Sequence, residues 1–396
     1  MSSPTVLTSR FGDGLAVDSD LVAAAESAVT QALAPLCGQR PDLLCVFLCG
    51  NDPAVVEAAG IRAMAVGGAR TTLGCSAGGV IGAGRGVEAL PAVSAFAACV
   101  PGVRFTLLRL ELVHSPDGAV VTGMPDHQDD DAVAVILADP FTFPLADFLQ
   151  RSNDNHTVLP LIGGVASGPR GARSAQLFLD GRSVRGGAVG VLLGGPVTVR
   201  PVVSQGCRPF GPPMVVTKAE RNVLLELAGT PALAKLEQIV AEIPAEERQA
   251  IARGLQIGVA MDEYVEEHER GDFLIRPIVG ADHQLGAIAI GEVVDVGQTV
   301  RFQVRDASAA DEDLKELFTR FRAEAGPVGG ALLFSCNGRG KTMFPSADHD
   351  VLAVRAGLET TGVAGFFAAG EIGPVAGRNY LHGFTASILV FGAGGS

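Results

Sequence analysis

The sequence predicts an α/β protein, with an α+β arrangement as the alternative, in which duplicated strand–helix–strand–turn–strand units form two mixed-sheet modules. Three observations carry this. Short, wholly apolar runs such as LLCVFLCG (43–50), AVAVILAD (132–139) and ALLFSC (331–336) end at glycine or polar turns, as strands buried on both faces do. Each run is followed by a helix-compatible stretch and then by a glycine-laden strand. The whole pattern, a unit of ~60 residues, occurs three times, too long for a solenoid repeat and suited to duplication. The 51 glycines have no short period, which points to tight turns rather than a fibre.

In chain order, the first copy continues from LLCVFLCG to LGCSAGGVIGAGRG (73–86) and AVSAFAACV (92–100). The second runs from AVAVILAD through a helix over 145–152 to LIGGVASGPRG (161–171) and RGGAVGVLLGG (185–195). The third runs from ALLFSC through a helix over 347–358 to VAGFFAAGEIGPVAG (363–377) and LHGFTASILVFG (381–392). Between the second and third copies the pattern changes. Thr230 and Pro231 open a helix over 231–243, with threonine as cap and proline in the first turn. A second helix starts at Pro244. Four strand-like runs follow, and Ser308 or Asp311 opens an exposed helix closed by Gly326 and Pro327. The proline-rich RPFGPPMVVT (208–217) marks the best boundary. The expected division is an extension over 1–25 and modules over 26–215 and 216–396.

A net charge of −13 without a lysine or arginine stripe argues against nucleic acid and against anionic membrane surfaces. No secretion signal opens the sequence, and no apolar stretch reaches the ~20 residues that span a bilayer. Seven cysteines, several inside apolar runs, fit a reducing compartment, so the expected location is the cytoplasm. The sequon at Asn155, His156 and Thr157 carries no weight without a secretory signal. The acidic loop Asp126 to Asp131 reads as a solvated turn with no partner nearby.

Chemistry concentrates in two C-terminal blocks, CNGRGKTMF (336–344) and the run from Gly365 to Phe391. GRGKT resembles the end of a phosphate-binding loop. Ser335 stands where its first glycine belongs, and Pro345 interrupts the helix that should follow. The chain has neither H-x-x-x-H nor C-x-x-C, so a structural metal site is not expected. What remains is a polar pocket wall formed by Cys336, Asn337, Arg339, Lys341, His349, Glu371, Arg378 and His382. Arg339 and Arg378 offer forked donors for carboxylates, and Lys341 a point charge. Glu371 suits an amino group, and Asn337 and Asn379 suit amides. The competing reading pairs Glu371 with one arginine as a buried structural ion pair. Two alternatives stay open. Cys336 becomes a nucleophile if a histidine oriented by Asp350 adjoins it, and His349 or His382 becomes an axial ligand if haem binds.

The motifs LGCSAGGVIG, LPLIGGVASG, GCRPFGPPMVVTKAERNVLLELAGTPAL, FSCNGRG, GFFAAGEIGP and LHGFTASILVF together resemble the FIST sensory family. The first three resemble its N-terminal module, and the rest its C-terminal module. The resemblance implies an intracellular module that binds small ligands such as amino acids. It also implies a signalling output, and in some members a haem that senses nitric oxide. This sequence has no segment for a kinase, receptor or F-box, so the expected output passes through a separate protein partner. The leading expectation is a small-ligand-binding sensory protein for an amino acid or small carboxylate, rather than an enzyme. A haem-based gas sensor and a Cys/His thiol enzyme are the alternatives.

Overall fold

A computed structural model describes residues 9–393, apart from 116–117, 155–157, 168–174, 266–267, 269 and 325. The sequon at 155–157 and the end of the LIGGVASGPRG run therefore lie outside the described residues. The chain divides into two compact units, one of 1–204, 314–381 and 385–396, the other of 205–313 and 382–384.

The first unit holds all three copies. An edge strand β1 (Arg10–Val17) and helix α1 (Leu21–Leu33) precede the first, which comprises β2 (Leu43–Cys49), α2 (Pro53–Gly67), β3 (Thr71–Ser76), the hairpin β4 (Gly79–Gly82) and β5 (Arg85–Glu88), and β6 (Ala92–Cys99). Asp20 caps α1 by accepting from Val22 N and Ala23 N, and Asp52 caps α2 with Pro53 in its first turn. The second copy follows β7 (Arg104–Ser115) and β8 (Gly118–Thr122). It comprises β9 (Asp131–Ala138), α3 (Leu145–Ser152), β10 (Leu161–Val165), the hairpin β11 (Gln176–Leu179) and β12 (Arg182–Arg185), and β13 (Ala188–Gly194). The edge strand β14 is Val199–Gln205.

The second unit starts with β15 (Cys207–Pro209), β16 (Met214–Glu220), β17 (Val223–Leu227) and the short β18 (Thr230–Pro231). Then come α4 (Ala232–Glu242), α5 (Ala245–Gly254), β19 (Leu255–Ala260), β20 (Phe273–Asp282), β21 (Ala287–Ile290) and β22 (Thr299–Arg305). The order β16–β17–β21–β20–β19–β22 returns to β16 through antiparallel pairs, so six strands close into a barrel. Thr230 does not cap α4. Thr230 and Pro231 pair in extended form with β17, and the helix starts at Ala232 without a side-chain cap. The next helix, α6 (Ala307–Glu324), opens at neither Ser308 nor Asp311; Asp306 accepts from Ala309 N at 3.0 Å.

The third copy is β23 (Val328–Cys336), the short α7 (Gly340–Met343), α8 (His349–Leu358), β24 (Val363–Ala368), the hairpin β25 (Glu371–Val375) and β26 (Arg378–His382), and β27 (Thr385–Gly392). In every copy the last, first and second strands lie side by side: β6–β2–β3, β13–β9–β10 and β27–β23–β24. A further strand flanks each trio beside its last strand: β1, β7 (itself followed at the edge by β8) and β14. The far edge is completed by the hairpin of another copy. Hairpin β11–β12 extends the first sheet, β25–β26 the second and β4–β5 the third. The exchange is cyclic, giving the unit an approximate three-fold repeat.

The inner faces of the three sheets share one core. Phe47 of the first copy packs on Phe334 and Phe366 of the third with ring centroids 6.4 and 5.0 Å apart, while β9 and β13 contribute Val135, Leu137, Val189 and Val191. Outer faces differ. Helices α1 and α2 cover the first sheet, and α8 with the Leu314, Phe318 and Phe321 face of α6 covers the third. Among the described residues, the second is covered by α3 alone.

One glycine recurs for one steric reason. Gly74, Gly163 and Gly365 sit in the second strand of each copy, in register with Val46, Ile136 and Leu333 of the first strand. A Cβ at any of the three would overlap that residue's carbonyl oxygen. Changing Gly74 or Gly365 to alanine should cost roughly 1–3 kcal/mol in urea unfolding. Gly326→Ala, with nothing within 4 Å of the added Cβ, should leave the midpoint nearly unchanged.

Candidate functional site

The strands of an α/β repeat end at loops, and loops at strand ends can present side-chain groups that no helix or ladder claims. Here the ends of three copies meet. Ser76 Oγ donates to Ser167 O at 2.7 Å, and Gly78 N donates to Ser167 Oγ at 2.7 Å. A Cβ at Gly78 would lie 3.6 Å from both Asn337 Oδ1 and Ser167 Oγ, so one point gathers Gly78, Ser167 and Asn337 from three copies. Gly78 and Asn337 are exposed, so this point opens to solvent. Cys49 donates to Gly78 O at 3.3 Å from below.

Cys336 ends β23 beside Asn337, and Gly338 N donates to its sulfur at 3.4 Å. Behind it lies Glu371, fully buried at the start of β25. Glu371 stands where the first copy has Val80: Ile372 pairs with Gly163 as Ile81 pairs with Gly365. A carboxyl thus occupies an apolar core position. Thr385 donates to its Oε2 from N at 3.2 Å and from Oγ1 at 2.9 Å, whereas Oε1 is buried without a conventional hydrogen bond. Burial lifts its pKa from the ordinary 4.5 to about 8, against the opposing pull of Thr385, the Cys336 thiol and the more distant Arg339 charge. Glu371 is therefore mostly a neutral acid at pH 7, a donor rather than a seat for an ammonium group.

Arg339 pairs with Asp350 instead of Glu371. It is fully buried, and its Nε and Nη2 reach Asp350 Oδ2 and Oδ1 at 2.7 and 2.9 Å. Ser335 Oγ donates to the same carboxylate at 2.6 Å, and His349 Nδ1 lies 3.0 Å from Oδ1. Although burial opposes it, the Arg339 charge and the bonds from His349 and Ser335 hold Asp350 well below the usual carboxylate range. The His349 ring stacks on Phe344 with centroids 3.6 Å apart, and the Arg339 guanidinium lies 5.4 Å from the Phe344 centroid. This packing fixes the imidazole between the Phe344 ring and the Asp350 carboxylate. Among the described residues no group of three or more His, Cys, Asp or Glu side chains is placed to hold a metal ion.

The other expected residues are dispersed. Lys341 is exposed on α7, whose four residues are too short to hold a phosphate at a helix end, and its N donates to Glu88 at 2.9 Å. Arg378 is exposed on the β25–β26 hairpin. Asn379 is buried and holds that hairpin to the second copy. Its Oδ1 accepts from Leu161 N at 2.8 Å and its Nδ2 donates to Leu159 O at 2.9 Å. His382 is buried and belongs to the second compact unit. The acidic loop is not free of partners: Arg104 bonds Asp130 at 2.8 Å and Asp131 at 2.7 Å. Reading the sequence alone missed Gly78 and Ser167. The available signal was the alignment of the three glycine turns.

Asp350→Asn should destabilise the fold by about 3–5 kcal/mol in denaturant titration, because it leaves the Arg339 charge buried and uncompensated. The raised Glu371 pKa has the opposite sign in pH. Its stabilisation is present below about 4.5 and is lost as pH rises through about 8. The melting temperature should fall across that window, and Glu371→Gln should flatten the fall.

Comparison with known proteins accounts for the repeats. Residues 42–230 match the FIST N domain model, and residues 232–374 match the FIST C domain model. The chain is 42% identical over 387 residues to the uncharacterized protein Rv0628c of Mycobacterium tuberculosis, covering 96% of this chain and 99% of that one. It is 40% identical over 385 residues to the uncharacterized protein Mb0898c of Mycobacterium bovis, covering 96% and 98%.

Proposed function

Since the chain belongs to the FIST family, whose domains are associated with sensory signal transduction, we propose that it is a sensor that binds a small ligand where its three copies meet. One observation carries this reading: Gly78, Ser167 and Asn337 converge at a solvent-open point, with Cys336 beside Asn337 and the neutral acid Glu371 behind. The Asn337 side-chain amide and the Ser167 hydroxyl suit a compact polar molecule, and an amino acid or small carboxylate is the ligand class proposed. Arg339 supports such a site by fixing the loop through Asp350 rather than by touching the ligand. Binding would shift the state of the protein read by a separate output partner.

A thermal-shift screen with amino acids and small carboxylates should raise the melting temperature, by about 2.7 kcal/mol of added stability at a hundredfold excess over Kd. Asn337→Ala should reduce that shift while leaving the unliganded melting temperature unchanged. A screen in which no compound moves the transition, or in which Asn337→Ala responds like the parent, refutes the reading.

A further inference from the structure

The first and third copies share a part that the second lacks. Between edge strand β1 and first strand β2 the chain forms α1, which buries Leu21, Ala24, Ala25, Ala28, Val29 and Ala32 against α2 and the outer faces of β2 and β6. In the third copy α6 directly precedes β23, and its Leu314, Phe318 and Phe321 pack on α8, β23 and β27. In the second copy the corresponding stretch, between β7 and β9, is the strand β8 and a loop. Among the described residues, no helix besides α3 covers the outer side of that sheet.

A cavity of about 830 Å³ occupies this position. Its walls include Leu192 of β13 and Phe148 of α3, the counterparts of the β6 and α2 that hold α1, together with Leu112 of β7 and Val120 of β8. Val120 and Met124, on its rim, remain 52% and 39% exposed. Asp126 and Asp147 also line it, and neither has an ion pair among the described residues. Asp131 pairs with Arg104 and lies 3.5 Å from His127 Nδ1, and Arg151 also lines the wall.

We propose that this slot is the docking site for the output partner, and that it takes an amphipathic helix with apolar residues at i, i+4 and i+7 and basic residues on its flank. The apolar spacing is that of Leu314, Phe318 and Phe321, which fill the same position in the third copy. Basic flanks complement Asp126 and Asp147. A helix laid in an apolar groove is a recurrent mode of recognition, read through such anchors. The inference deepens the partner half of the proposed function and does not depend on the ligand point at Asn337.

The test uses the full chain and a fluorescein-labelled peptide of eighteen residues. The peptide carries Leu, Phe and Phe at i, i+4 and i+7 with lysines on its polar face, and a control scrambles the three apolar residues around the helix. Fluorescence anisotropy should show saturable binding of the patterned peptide, about tenfold tighter than the control, or about 1.4 kcal/mol. Val120→Glu and Asp147→Lys, both at exposed positions, should each weaken it several-fold, and Asn337→Ala should not. Should Val120→Glu fail to fold by circular dichroism, Asp147→Lys decides. Equal binding of the two peptides, no binding of either, or unchanged affinity in the folded slot variants overturns the proposal. So does self-association of the chain that Val120→Glu abolishes, or an apolar dye held in the cavity that the patterned peptide cannot displace. A ligand-blind protein that still binds the peptide would fault the ligand reading alone.

Discussion

Each copy of the repeat forms three adjacent strands and then sends its hairpin away, so no copy completes its own sheet. An unfinished strand edge exposes a row of backbone donors and acceptors that will pair with whatever strand comes near. Here the three edges are completed reciprocally, and every copy depends on another for its last two strands. The inner faces then have one place to go, a single core of phenylalanine and branched side chains. Part of the third copy's sheet edge, β4 and β5, comes from residues far upstream in the chain. Although the FIST N and FIST C matches divide the chain near residue 231, this unit draws on both sides of that line.

The same exchange builds the candidate site. Strand ends from different copies are brought to one point because their sheets share a core, and so Gly78 can lie against Ser167 and Asn337. Approximate symmetry supplies the frame, and departures from it supply the chemistry. Val80 and Glu371 occupy equivalent positions, and only the carboxyl brings a titratable group into the shared core. Its environment is the reason for its shifted proton affinity: full burial raises it, and the two bonds from Thr385, the Cys336 thiol and the Arg339 charge offset only part of that rise. A second departure is the absent helix over the second sheet, which leaves apolar surface where the other copies are covered.

Nearby, the polar groups that most resemble a ligand-binding set are occupied with one another. Arg339, Asp350, Ser335 and His349 form a dense network beneath the loop. A buried ion pair of this kind adds little net stability but makes the loop conformation costly to leave. Asn379 acts similarly at the hairpin, tying it to Leu159 and Leu161 of the neighbouring copy. These residues position the surface; Asn337 and Ser167 present it.

The sequence by itself determined the α/β class, the three copies and nearly all their strands, because alternating apolar runs and glycine turns are local signals. The helix over 145–152 and the interruption of the phosphate-loop pattern at Pro345 were equally local, and the structure has both. It also brought Cys336 and Glu371 into one neighbourhood through their two motifs. Tertiary structure decided the rest. Which carboxylate Arg339 meets, Asp350 or Glu371, depends on how α8 and the β25 hairpin pack, and no spacing along the chain encodes that choice. Arg104 reaches the acidic loop across 26 residues, so the loop's partner was invisible to a local reading. Gly78 and Ser167 join Asn337 only because the copies exchange hairpins, and hydrophobic pattern records which face of a strand is buried but not which copy buries it.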